Sequence, residues 1–556
     1  MRLFKAFLTA VLVVAGGAWG QADWSAKNIA ITTEAQLKEL AHWVDYGNDF
    51  SGKTIKLGVD IELTSEWKPI GSKNNQFKGI FDGNSKSISG VSVLGEVQYA
   101  GLFGYVGEGG QIKNLVVNVT EINVKGWSSF YAGGLAGYYA SAKVIENCGV
   151  NIRDSIYGHG HYSGGLVGEA SKELTISNSY ATGNVSGSYS GGLVGKGNVT
   201  IANSYATGNV SGGSSSGGLV GKGNVTIANS YATGNVSSSD GSGGLVGNGG
   251  KIAISNSYAT GDVSGSSSGG LVGKGDVTIA NSYATGKVFA SGERASAGGL
   301  MGSGNVTITN SYAAGYVSSD VSSGGLVGKN SRGSKIENSY SLGSVKGAVI
   351  GGIVGENSGA IINCYHLAGN ADMLVGKNEG GTITMTSGAR TEEQMKQKDT
   401  YKGWNFADVW EISSRENDGF PYLYYAGNFA KTKHGKYEWH YENGKLRLVC
   451  NYKDGKLNGK YTWYYENGKI SEAGNFKNGE RDGKLEFYYE NGKPKEVSNF
   501  KDGKLNGRSA GYYENGKIGA TGNYKDDKLD GKWELYYDNG KLSEVRNYKD
   551  GEIVYQ

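Results

Sequence analysis

One short stretch returns through the middle of the chain at a near-constant step, and this recurrence limits the fold more than any single residue does. Ser190-Gly191-Gly192-Leu193-Val194-Gly195-Lys196 leads into Asn198-Val199-Thr200-Ile201-Ala202-Asn203-Ser204-Tyr205-Ala206-Thr207-Gly208. The Gly-Gly-Leu leucine comes back as Leu135, Leu166, Leu193, Leu219, Leu245, Leu271, Leu300 and Leu326, then as Ile353; the central copies lie 26 residues apart and most others 27 to 31. A unit this short cannot bury a core alone, so units must stack like on like. Gly-Asn and Ser-Gly pairs divide each unit into three short strands, carrying Gly-Leu-Val-Gly, Val-Thr-Ile-Ala-Asn-Ser-Tyr and Asn-Val-Ser-Gly. The pattern predicts an all-β fold, a right-handed parallel β-solenoid with Leu193 over Leu219 and Ile201 over Ile227, and glycine at its tight corners.

Composition agrees with this. The 556 residues include 95 Gly but only 3 Pro, with no collagen period, and 38% are hydrophobic, too many for a disordered chain. Two polar columns follow from the period. Asn178, Asn203, Asn229, Asn256, Asn281, Asn310, Asn338 and Asn363 stand at one corner, where each amide can donate to the next. Tyr180, Tyr205, Tyr231, Tyr258, Tyr283, Tyr312, Tyr340 and Tyr365 stand two places on, where rings one strand apart stack favourably. Cys148 and Cys364 occupy the serine place of Asn-Ser-Tyr. At ~4.8 Å per turn they lie roughly 40 Å apart, too far for a disulfide, so both are expected as free, serine-like, buried thiols.

Residues 1–22 read as a secretory signal: Arg2 and Lys5, an apolar run from Phe7 to Ala15, then small residues. That run is too short to span a membrane as a stable helix, and no other stretch is long enough. Residues 23–100 read as an N-terminal cap and first coils, with a helix opening at Thr33. Residues 101–380 hold the solenoid array. Residues 381–430 bring back large aromatics (Trp404, Phe406, Trp410) and read as a C-terminal cap that plugs the last turn. Residues 431–556 change period: Tyr-Glu-Asn-Gly-Lys starts at Tyr441, Tyr465, Tyr489 and Tyr513, with a variant at Tyr537, a constant step of 24. Asn-Gly and Asp-Gly between alternating residues signal hairpins, so this part is expected as an antiparallel β-hairpin meander with one aromatic and one charged face.

The Gly-Gly-Leu-Val-Gly array resembles the GLUG repeat of large bacterial surface proteins. The tail is similar to MORN-type repeats in their bacterial variant form, through Tyr-Glu-Asn-Gly-Lys and Lys-Asp-Gly-Lys-Leu-Asn-Gly. These resemblances imply a β-solenoid followed by a hairpin meander. Some relatives of the tail are antitoxins, which makes an immunity role an alternative. Peptidases that carry GLUG repeats use them as accessories, and the chain has no His-Glu-x-x-His motif.

The candidate chemistry is sparse. His159 and His161 could share a strand face, but no third ligand is visible and a structural metal site takes four. Polysaccharide lyases and hydrolases on β-helices need convergent carboxylates, whereas Asp240, Asp262, Asp276 and Asp320 are scattered. A β-helix polysaccharide-degrading enzyme is therefore the weaker alternative. With 55 basic against 52 acidic residues, the chain offers no electrostatic footprint for nucleic acid. The expected protein is non-catalytic, secreted or held at the cell surface, adhesin-like, and without cofactor or metal. It would bind polysaccharide or a cell-surface protein, with the tail rows Trp439, Tyr441, Trp463, Tyr465 and Trp533 as the ligand-contact candidates.

Overall fold

In a computed structural model, residues 22–126, 129–159, 161–384, 386–412, 417–423, 435–440, 445–453 and 456–554 are described. The chain divides into two compact units between Leu423 and Tyr424. The first is a parallel β-solenoid of about 13 turns. Parallel pairing begins where Asn28–Ile31 meets Thr54–Leu57 and ends where Tyr365–Leu367 meets Gly388–Arg390, beyond residue 380. The helix Glu34–Asp45 follows the first strand. Thr33 Oγ1 caps it by accepting from the Gln36 N–H at 3.2 Å, and Leu37, Leu40, Ala41 and Val44, at helical spacing, are buried in the core that also holds Ile31 and Leu57.

The central turns stack in the expected register: Val194 on Val220, Val199 on Val225, Ile201 on Ile227 and Tyr205 on Tyr231. Leu193, Leu219, Leu245 and Leu271 are fully buried, each N–H bonded to the next leucine's carbonyl at 2.9 Å. Each buried Leu, Val or Ile adds about 1.5–3 kcal/mol, so a turn gains enough apolar burial only by having a turn on both sides. A second, smaller apolar strip runs alongside, through Val210, Val236 and Val263.

Two features of a turn differ from the sequence expectation. The Asn-Ser step is not part of the preceding strand: Val194–Ala202 ends, Asn203 and Ser204 turn the corner, and Tyr205–Ala206 is a separate strand. The left-handed corner is made by asparagine, not glycine, with φ of 51° at Asn203 and 52° at Asn229. Asparagine tolerates this region better than other residues with a Cβ. The Gly-Gly pair instead permits close approach. A Cβ on Gly192 would collide with the Gly218 carbonyl and come within 2.6 Å of the Ala206 Cβ, and Gly218 stands likewise against Gly244.

The corner amides form the expected ladder: Asn229 Nδ2 donates to Asn203 Oδ1, Asn256 to Asn229, Asn281 to Asn256 and Asn310 to Asn281, each at 3.3 Å. Beside it runs a serine ladder that the sequence reading did not foresee. Ser204 Oγ donates to the Ala202 carbonyl (2.8 Å) and accepts from the N–H of Ser179 (3.1 Å); Ser230 repeats this with Ala228 and Ser204. Cys148 and Cys364 stand in this ladder. Their thiols donate to the Glu146 and Ile362 carbonyls, and their N–H groups donate to Ser179 Oγ and Ser387 Oγ. Both are buried and free, and burial pushes each thiol's pKa up to about 12, which keeps it unreactive.

The second unit is an antiparallel meander. Gly459–Tyr464 pairs with Ile470–Lys477, which pairs with Gly483–Tyr488, and the pattern continues to Glu552–Ile553. Cys450, Tyr461 and Leu485 are its buried centre, with Trp463, Phe476, Phe487 and Phe500 packed around them.

Replacing Ser230 with Ala should leave the Ser204 N–H buried and unpaired, at about 1–3 kcal/mol. Ser230→Cys should lose less, since cysteine already serves at two rungs. Hydrogen exchange at the Ser204 amide should accelerate in Ser230→Ala well beyond its rate in Ser230→Cys.

Candidate binding surfaces

The tail candidates are placed mainly by contacts within the sheet. Tyr465 OH donates to the Tyr488 carbonyl (2.7 Å), Tyr489 OH to that of Tyr512 (2.8 Å) and Tyr513 OH to that of Tyr536 (2.8 Å). Lys469 Nζ reaches the Asn491 carbonyl at 2.9 Å, and Lys493 and Lys517 repeat the bond one repeat on. Tyr-Glu-Asn-Gly-Lys is thus a staple between consecutive hairpins. Tyr537, at the corresponding place of the fifth repeat, is 56% exposed. Trp463 packs on the tail core under the Arg447 guanidinium, 5.9 Å from its ring centre. Trp533 lies against Gly522, where any Cβ would strike its ring, and its Nε1 donates to the Asn523 carbonyl at 3.1 Å. Tyr441 and the side chain of Trp439 lie outside the described residues.

The tyrosine column of the solenoid is stacked as expected. Tyr205, Tyr231, Tyr258, Tyr283, Tyr312 and Tyr340 follow one another with centroids 4.9–5.0 Å apart and planes within 6°. Desolvation raises the phenol pKa of Tyr231, Tyr283 and Tyr340, and pushes that of Tyr258 up to about 12. The C-terminal aromatics lie along this column rather than across the last turn. Trp410 packs on Tyr312 (6.3 Å) and Tyr340 (5.8 Å), and Trp404 packs on Tyr340 (6.1 Å) and Tyr365 (5.9 Å). Trp404 Nε1 donates to the Asn363 carbonyl, and Tyr340 OH to that of Pro421. These three tyrosines are at most 5% exposed, whereas Ile383 in the last turn is 42% exposed.

A second tyrosine cluster lies at the N-terminal turns. Tyr99, Tyr131, Tyr162 and Tyr189 form a stacked row at 5.1, 5.5 and 5.4 Å. Tyr105 and Tyr138 form a shorter row beside it, 4.7 Å apart, meeting Tyr99 edge-on. Lys196 Nζ sits 4.7 Å over Tyr162 and bonds Glu169 at 3.0 Å; Lys222 sits 5.1 Å over Tyr189. The sequence reading missed this row, although its signal is present. The residue two places before the first glycine of Gly-Gly-Leu is Tyr131, Tyr162 or Tyr189 in these copies, with Tyr99 likewise before Gly101-Leu102, and Ser215, Gly241 or Ser267 in later ones. A groove of about 660 Å³ opens beside Tyr99, bounded by Glu66–Asn74 and Glu96–Gln98.

His159 Nδ1 is hydrogen-bonded to Tyr157 OH at 2.6 Å, and the His161 carbonyl accepts from the N–H groups of Ser188 and Tyr189. Among the described residues, no group of three or more His, Cys, Asp or Glu could hold a metal. Asp262 continues a corner column of Asn184, Asn209 and Asn235, its Oδ1 accepting the Lys287 N–H at 2.8 Å, and Asp320 accepts the Gly292 N–H. These carboxylates do the work of an asparagine side chain.

The MORN repeat variant family matches the chain five times, at residues 433–454, 457–478, 481–502, 505–526 and 529–550. A protein of Evansella cellulosilytica described as "Putative Gly-rich membrane protein" is 35% identical over 130 residues, which is 22% of this chain and 14% of that protein. A crystal structure described as a "putative immunoglobulin A1 protease" from Bacteroides ovatus aligns over 73% of this chain and 94% of its own, at 17% identity and a TM-score of 0.29. Among the described residues, no helix is long and apolar enough to cross a membrane.

Trp410→Ala should cost about 3–5 kcal/mol in the C-terminal turns and open Tyr312 and Tyr340 to solvent, read as faster amide exchange there with the N-terminal turns unchanged. The stacked phenols give a pH dependence of definite sign. Their folded pKa lies above the unfolded value near 10, so their stabilisation is complete below about pH 10 and is lost as pH rises toward 12 for Tyr258. Tyrosinate absorbance during alkaline titration should show a late-ionising group of tyrosines whose release coincides with loss of β-structure.

Proposed function

We propose that the chain is an exported, non-catalytic surface protein whose β-solenoid scaffold, of the GLUG kind, holds binding surfaces for polysaccharide or for a protein on another cell. The observation that carries this reading is the partly exposed tyrosine and lysine face of the N-terminal turns, opening on a groove of about 660 Å³ beside Tyr99. Buried aromatics need no ligand to explain them. A clustered, half-exposed row in an otherwise Ser- and Asn-rich wall is costly to leave wet and suits recognition. The described acids Asp262 and Asp320 bond backbone N–H groups, which supports a role without catalysis. The partial match to a Gly-rich membrane protein supports a place at the envelope.

In cell fractionation the chain should appear outside the cytoplasm, shortened by about the first 22 residues. That mature form should bind whole cells or immobilised glycans with an affinity unchanged by Asp262→Asn. Retention in the cytoplasm, or silence on both cells and glycan arrays, would remove this reading.

A further inference from the structure

We propose that Tyr99 is the stacking platform of a saccharide site at the N-terminal turns, taking a neutral pyranose ring of a polysaccharide chain. The proposal rests on the recognition reading above and gives it a location. A tyrosine inside a stack has both faces covered by its neighbours and offers a ligand only its edge. Tyr99 is the first ring of its row. Tyr131 covers one face at 5.1 Å with planes 8° apart, while Tyr105 and Tyr138 brace it edge-on at 73° and 83°. Among the described residues, no ring lies parallel on the other face. That face looks toward the preceding turn, which stacks on this one through Trp67 N–H to the Ser92 carbonyl and Ile70 N–H to that of Leu102.

The groove is lined by Tyr99 together with Glu66–Pro69 and Gly71–Asn74 of that preceding turn. Its volume of about 660 Å³ falls within the range of small-ligand sites. Its rim carries Glu66, Lys73, Asn74, Glu96 and Gln98 around Tyr99. Lys68, also on the rim, is paired with Asp45 at 2.5 Å, which leaves a mixed set of donors and acceptors with little net charge. A pyranose is built for such a place: one face of C–H bonds to lie on a ring, and a rim of hydroxyls to exchange hydrogen bonds. Desolvation raises the Tyr99 phenol, so its hydroxyl is a donor at neutral pH. An anionic glycan would meet Glu66 and Glu96, so a neutral chain fits better.

The test is calorimetric titration of the mature full-length chain with cellohexaose, laminarihexaose and xylohexaose. At least one should bind. Tyr99→Ala should weaken that binding by about tenfold or more, and Tyr99→Phe by no more than about threefold. Tyr231→Ala, in the interior of the other column, should leave it unchanged. The double variant Asn74→Ala/Gln98→Ala keeps the ring and should also weaken binding, which guards against a Tyr99→Ala chain that has merely lost its fold. The proposal is overturned if no hexaose binds, or if Tyr99→Ala and the double variant both bind as the wild type does. A chain that binds cells or glycans with these variants intact would lose this site and keep the scaffold reading; a chain that binds nothing would lose both.

Discussion

No side chain fits between the Gly-Gly corners of successive turns, and the rest of the solenoid depends on that closeness. With Gly192 against the Gly218 carbonyl and Gly218 against that of Gly244, each turn can approach the next only in one register. A slip of one residue would bring a Cβ into the gap. Register fixed at that corner then fixes everything else in the turn. Leu193 must lie on Leu219, Asn203 on Asn229 and Tyr205 on Tyr231, and a sequence that repeats becomes a set of columns.

Columns solve a problem that a narrow solenoid cannot otherwise escape. Its corners bury backbone groups that lie outside the β-ladders, and each unpaired group costs about 1–3 kcal/mol. Asparagine turns the corner with a positive φ and bonds its amide to the next asparagine. Serine closes the remaining N–H groups from one turn to the next. Cysteine at two rungs keeps the same donor with a bulkier atom. The same logic operates in the meander, where Tyr-Glu-Asn-Gly-Lys ties each hairpin to the following one.

The solenoid, its register, the asparagine and tyrosine columns and the meander were legible in the sequence because each is a consequence of period alone. What was not legible depends on contacts that period does not encode. The division of labour between asparagine and glycine at the corners needs backbone angles. The path of Trp404 and Trp410 along the tyrosine column, instead of across the last turn, is tertiary packing between residues far apart in sequence. The half-exposed row at Tyr99, Tyr131, Tyr162 and Tyr189 was visible in principle but falls in the irregular early copies, which depart from the consensus. The tail aromatics show the opposite case: the alternation that marked them as a face also marks them as the sheet's own packing surface.

A perfect ladder is a poor binding site, for a physical reason. Every aromatic ring in its interior spends both faces on its neighbours, and the corner amides of Asn229 and Asn256 and the hydroxyls of Ser204 and Ser230 are bonded from turn to turn. Uniform repetition therefore yields stiffness and length, with recognition confined to places where the repetition stops. In this solenoid the stacked tyrosine columns stop in two ways. At the C-terminal side the chain's own tryptophans lie over Tyr312, Tyr340 and Tyr365. At Tyr99, the first ring of the other row, no described ring lies parallel on the face away from Tyr131, and the ring borders a polar groove. The half-exposed row that begins at Tyr99 is a second column, confined to the irregular N-terminal turns, and the proposed saccharide site lies at its first ring because that is where the repetition gives way.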